Sequence, residues 1–261
     1  MIISAVVNSF KTIVSKPILF IPILISILFG KVLAQATVWA WIPIADIFTM
    51  WGSSTENPFL ALIISNPIEI GAILVSAIIG LAVSVIALDF LARIVNEQKF
   101  MEAVNDAVVD WKKALAIAIT FSLATIVFMA LGIFIVELGV INELISFILL
   151  VALYLVTFFA IIKMVFVFPA MTEEKKAKEA MQKSWRFLTD YGAFGKALAF
   201  IILISVIIIL IDLVTLTIAT SLLQAGITDE IIINNIIPVL EEMVITSFAG
   251  VAIASYYFNK K

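Results

Sequence analysis

Two residue types are missing from this 261-residue chain: it has no cysteine and no histidine. Without cysteine there are no disulfides, no thiolate metal sites and no thiol nucleophile. Without histidine the commonest general base and the commonest metal ligand are gone, and most hydrolase and metalloenzyme mechanisms go with them. Charge is scarce too, at 13% of residues, and nets to −3. No Walker loop, dinucleotide fingerprint or nucleophile elbow occurs. These gaps predict a protein that is not an enzyme and that calls for no cofactor or metal.

What is present is apolar. Hydrophobic residues make up 64% of the chain and mean hydropathy is +1.22, against about 45–50% apolar in a soluble domain. The expected fold is all-α and integral to a membrane, a single domain over residues 1–261 with six spans at about 17–37, 68–91, 113–136, 144–168, 194–221 and 239–258. Lys16-Pro17 opens the first span, proline being tolerated in a first helical turn. Lys11, Lys16 and Ala34-Gln35-Ala36 also have the outline of a signal peptide, but Lys31 interrupts the apolar run and the N-terminal helix matches later ones. Ala72, Ser76, Gly80 and Ser84 recur every four residues, a seam where a second helix can come close. Trp39, Trp41 and Trp51 mark an interfacial belt, Gly52-Ser53-Ser54 a turn, and residues 58–67 a short apolar piece dipping into the headgroups. A tight turn is expected over 137–143 and a polar connection over 224–235.

The basic residues take sides. Apart from Lys31 and Lys163, which fall inside spans, every Lys and Arg lies on the side of the N-terminus, and the opposite connections hold nine acids. The positive-inside rule then predicts a multi-pass protein of the cell membrane with both termini cytoplasmic.

Three amphipathic stretches stand on that basic side, at 2–15, about 95–111, and 172–189. In the last, Thr172 is the expected cap with Glu173 and Glu174 in the first turn. The three superpose without gaps when Ala5, Ala103 and Ala180 are matched. Ser9, Ala107 and Ser184 then share a column four residues on, and Phe10, Val108 and Trp185 the column after it. Each stretch leads into a pair of spans, so the chain reads as three copies of a surface helix plus a helical hairpin.

Phe168-Pro169-Ala170-Met171-Thr172-Glu173, followed by Ala180 and Ser184-Trp185, resembles the mid-chain signature of a broad group of prokaryotic six-span proteins. That group includes the membrane domain found beside some glycerophosphodiester phosphodiesterases. The resemblance implies a six-helix membrane domain of largely unknown function. It carries over no phosphodiesterase activity, since the separate catalytic domain is absent and its chemistry would need histidine.

The candidate site residues are few. Lys31, Asp89, Lys163 and Asp212 are ionisable groups inside spans, which are functional candidates by default. Asp89 and Lys163, near the basic ends of their spans, are placed to pair with each other or to reach water. Lys31 and Asp212 stand at nearly one depth, about 21 and 24 Å along their helices. Either they pair, or Lys31 snorkels outward while Asp212 bonds to Thr215 or water. Lys175, Lys176, Lys178, Lys183 and Arg186 line the polar face of the third surface helix and suit anionic lipid headgroups. Nucleic acid is a poor match, because the aromatic Trp185 lies on the apolar face. The acidic pairs Asp106/Asp110, Glu173/Glu174 and Glu241/Glu242 read as solvated surface or capping. The expected partners are the lipid bilayer and its anionic headgroups, with a protein partner or a homo-oligomer left open. The functional expectation is a non-enzymatic organiser of lipid or of a membrane partner, and its rival is a small-solute or ion transporter using Lys31 and Asp212.

Overall fold

The computed structural model describes residues 2–40, 66–138, 142–190, 194–224 and 232–259. The expectations for Trp41, Trp51, residues 52–65 and the polar connection at 225–231 lie outside the described residues, as does the middle of the 137–143 turn. Among the described residues the structure is helical, with no strand. In chain order the helices are α1 (Ile2–Ser15), α2 (Phe20–Ala36), α3 (Pro67–Val95), α4 (Phe100–Val109), α5 (Trp111–Leu138), α6 (Glu143–Met164), α7 (Val167–Met171), α8 (Ala177–Asp190), α9 (Phe194–Gln224) and α10 (Ile237–Phe258). Six helical segments are long and apolar enough to cross a membrane: Pro17–Ala36, Pro67–Val95, Trp111–Val136, Glu143–Met171, Phe194–Gln224 and Ile237–Phe258. The chain is a multi-pass membrane protein.

Two helices form the centre. α3 packs against α2, α4, α5, α7 and α10, and α10 packs against α1, α2, α3 and α9. They meet at Gly250, where an added Cβ would lie 2.9 Å from both Leu88 Cδ2 and Leu91 Cδ1, too close for any side chain without a shift. α5 and α6 pair at the periphery, tied at the far end by Ser146 Oγ donating to the Ile135 carbonyl at 2.7 Å. The predicted small-residue seam is used in part: Gly80 faces Leu33, and Ser84 Oγ meets Ser26 Oγ at 3.0 Å.

Three local breaks shape the basic end. Asn96 closes α3, and Glu97 takes a left-handed φ of 66°. The Gln98 and Glu97 amides return to the Arg93 and Ile94 carbonyls, at 3.1 and 3.2 Å, so the chain reverses sharply into α4. α4 is shorter than the expected 95–111, and Trp111 belongs to α5 instead. The fourth span also divides: α6 stops at Met164 and α7 resumes at Val167, where 144–168 was expected to be continuous. Pro169 is the cause, because it donates no hydrogen bond and its ring crowds the carbonyl of Val165.

α1, α4 and α8 place their matched positions alike. Ala5, Ala103 and Ala180, and four residues on Ser9, Ala107 and Ser184, are all buried, none more than 1% exposed. The next column, Phe10, Val108 and Trp185, is exposed in all three.

Candidate functional site

Arg93 ends the last turn of α3, one turn after Asp89, so the pair shares a helix face. Its Nε donates to Asp89 Oδ2 at 2.8 Å, Nη1 to Asp106 Oδ2 at 3.4 Å, and Nη2 to Asp110 Oδ2. Asp110 also holds Lys113, whose Nζ donates onward to the carbonyls of Glu174 (2.8 Å) and Met171 (3.2 Å). The turn before α8 carries Glu173 and Glu174, which close on Lys183 from α8, and Tyr257 OH from α10 donates to Glu173 Oε2 at 3.0 Å. One charged knot therefore joins α3, α4, α5, α8 and α10 around a cleft of about 310 Å³.

Several expectations are corrected here. Asp89 pairs with Arg93 rather than Lys163, because Arg93 lies on its own helix one turn away. Asp106 and Asp110 are not simply solvated, since Arg93 reaches both. Thr172 does not cap α8, which begins at Ala177; its hydroxyl donates to the Pro169 carbonyl at 2.8 Å. Glu173 and Glu174 sit outside the helix, held by Lys183. Lys183 is thus committed to this knot rather than to a headgroup. Its burial works against the ammonium, but the hydrogen bonds it donates to Glu174 and Glu173 and their negative charge outweigh that and raise its pKa. Every acid of the knot is in an ion pair. Among the described residues no group of three His, Cys, Asp or Glu is placed to hold a metal.

Lys163 is buried, 5% exposed, at the end of α6. Its ammonium stands 5.4 Å from the Phe159 ring centre and 5.6 Å from that of Trp185, and donates to the Trp185 carbonyl at 3.4 Å. Ser184 Oγ returns to the Lys163 carbonyl at 2.7 Å, which locks α8 under α6. Lys176 pairs with Glu179 at 3.7 Å, Lys175 lines the charged cleft, and Lys178 and Arg186 are exposed.

Above Trp185 lies an apolar groove of about 890 Å³ between α5 and α6. Its walls include Phe121, Phe128, Leu150 and Tyr154, and Met181 and Trp185 form its floor. The hydroxyls of Thr120, Thr125 and Thr157 all face their own helices, donating to Ala116, Phe121 and Leu153 carbonyls at 2.8–2.9 Å. Those three hydroxyl protons are engaged within their own helices, and the groove lining is predominantly apolar.

Lys31 and Asp212 are not brought together. Lys31 opens on a cavity shared with Glu242, while Asp212 on α9 faces Glu241, and Thr215 is half-buried beyond it. Sequence reasoning missed Arg93, which it counted only as one of the basic-side cations; the i,i+4 spacing from Asp89 was the available signal. It also missed the groove, since lipid-facing and cavity-facing positions look alike on a helix that is apolar all round. Compared with family models, curated proteins and solved structures, the chain matches none.

Proposed function

We propose that this protein is a non-enzymatic membrane organiser that holds an anionic lipid, its acyl chain in the groove between α5 and α6 and its headgroup at α8. The carrying observation is the groove itself. At about 890 Å³ it is large enough for a chain-like ligand, and it is apolar along its length. Charge sits at one end only. Lys178, Met181 and Trp185 follow at i, i+3 and i+7 on one stripe of α8, so an exposed ammonium stands beside the groove floor. A tryptophan at the floor suits the headgroup level, where its ring is apolar and its N–H is wet.

The wider reading has three units, each a surface helix feeding two spans, with α1, α4 and α8 on the cytoplasmic face. Supporting it are the shared burial of the Ala and Ala/Ser columns and the packing of α2 on α3, α5 on α6 and α9 on α10. The cytoplasmic placement rests on the one-sided Lys/Arg distribution. Likeness to the six-span group is part of the same proposal: the signature residues Phe168, Pro169, Ala170 and Met171 are all buried in α7. The transport alternative is less favoured, because Lys31 and Asp212 face different neighbours and line no common path.

Native mass spectrometry of the full chain tests the lipid reading. The wild type should retain phospholipid, preferring phosphatidylglycerol over phosphatidylcholine. Filling the groove with Ala124→Trp should remove that adduct, and Lys178→Glu should abolish the preference. An unchanged lipid count in the filled variant would end the proposal. For orientation, a single cysteine at Lys178 should react with an impermeant thiol reagent only after cells are opened.

A further inference from the structure

A second cavity, of about 330 Å³, lies between α2, α3 and α10, away from the groove. Lys31 and Glu242 both line it, with Ser26, Ser84 and Thr246 beside them and Gly30 and Gly80 leaving room. No ion pair joins Lys31 to Glu242 among the described residues. Two opposite charges in membrane-spanning helices thus face one cavity without closing on each other, although charges in such helices ordinarily find partners.

The hydroxyls give the cavity a direction. With the Ser84 Oγ proton assigned to the Gly80 carbonyl at 3.0 Å, Ser26 takes the donor role in the Ser26–Ser84 contact. Both protons are then spent, and only oxygen lone pairs remain to face a ligand. Together with the Glu242 carboxylate they form an acceptor wall suited to an ammonium. Lys31 has only donors to offer and suits an anionic group.

We propose that this cavity binds a small zwitterion, with its anionic group on Lys31 and its ammonium on Glu242 and the Ser26–Ser84 pair. Its volume stands at the lower end of the ~300–1,000 Å³ typical of ligand pockets, which fits an amino-acid-sized molecule. The same chemistry is carried by a free amino acid and by the ethanolamine phosphate headgroup of a lipid. This site goes beyond the lipid groove and shares no residue with it, so either proposal can fail alone.

The test is thermal unfolding of the full chain in phosphatidylglycerol nanodiscs, titrated with each proteinogenic amino acid and with phosphoethanolamine, and repeated with phosphatidylethanolamine in the disc. A ligand bound far above its Kd should raise the midpoint by several degrees. A response to a free amino acid assigns the free source, and one confined to phosphatidylethanolamine assigns the headgroup. In either case Lys31→Met and Glu242→Gln should remove the response. Ser84→Ala, which takes away an acceptor without touching a charge, should weaken it about tenfold. No shift with any of these probes overturns the proposal, as does a shift that survives Lys31→Met and Ser84→Ala.

Discussion

At the basic end the ionisable groups are tied to one another: Asp89, Arg93, Asp106, Asp110, Lys113, Glu173, Glu174 and Lys183, with Tyr257, make a single chain of contacts across five helices. In the far half, Lys31 and Glu242 face a cavity, and Asp212 faces a second acid, Glu241. The first region spends its charges on holding helices together. The second leaves them directed at space. Burial of a charge therefore does not identify function by itself; what it faces does. A buried pair contributes little net stability over an apolar substitute, yet losing one partner is costly, so the two regions should respond to mutation in opposite ways.

The largest expected effect is at Arg93. Asp89 is fully buried, its Oδ1 has no hydrogen-bond partner, and Arg93 is the cation that its other oxygen bonds. Arg93→Met should cost about 3–5 kcal/mol, read as a lowered midpoint of denaturant unfolding in detergent. Adding Asp89→Asn should recover much of that loss, because the stranded charge goes with it. Lys31→Met in the absence of ligand should change stability by less than about 0.5 kcal/mol, as at ordinary exposed sites. Equal losses at the two lysine and arginine sites would erase the contrast between the regions.

How much of this could be read beforehand depends on the type of helix. Where one face differs from the other, as in α1 and α8, period and composition identify the buried columns, and Ala5, Ala103 and Ala180 come out alike. The six long apolar segments were equally legible, because length and hydropathy suffice. Rotation about the axis was not. Lys31 and Asp212 were read at one depth, but depth carries no azimuth on a helix apolar all round. The structure sets α2 against α3 and α10, and α9 against α10. Glu241 and Glu242, neighbours in sequence, point about 100° apart on α10, so one meets Asp212 and the other the Lys31 cavity. Likewise the break at Pro169 displaced the start of α8 and turned two expected capping acids into partners for Lys183.

An intermediate effect should sharpen the likeness of α1, α4 and α8. Ala5, Ala103 and Ala180 are fully buried. Leucine at each should cost about 1–3 kcal/mol through overpacking, in thermal unfolding of each single variant. Met101→Ala, on the exposed side of α4, serves as control and should be near neutral. If Ala103→Leu were as harmless as the control while the other two destabilised, α4 would not be an equivalent copy.

A smaller effect than at the alanine column belongs to Lys183, at the rim of the knot. Its side chain is 31% exposed, so its ion pairs are screened and should contribute under about 1 kcal/mol. The sign follows from its pKa, which Glu174 and Glu173 raise above the ordinary 10.5 despite partial burial. A group whose folded pKa exceeds its unfolded one stabilises the fold fully below the unfolded value, and that contribution fades as pH rises through the folded value. The stability difference between wild type and Lys183→Met should therefore stay constant from pH 7 to about 10 and shrink at higher pH. A difference that shrank on going from pH 9 to pH 7 would mean that the acids, rather than the ammonium, control this contact. One that never shrank would trace the loss to packing of the lysine stem against its neighbours, and the rim of the knot would then be held by hydrocarbon rather than charge.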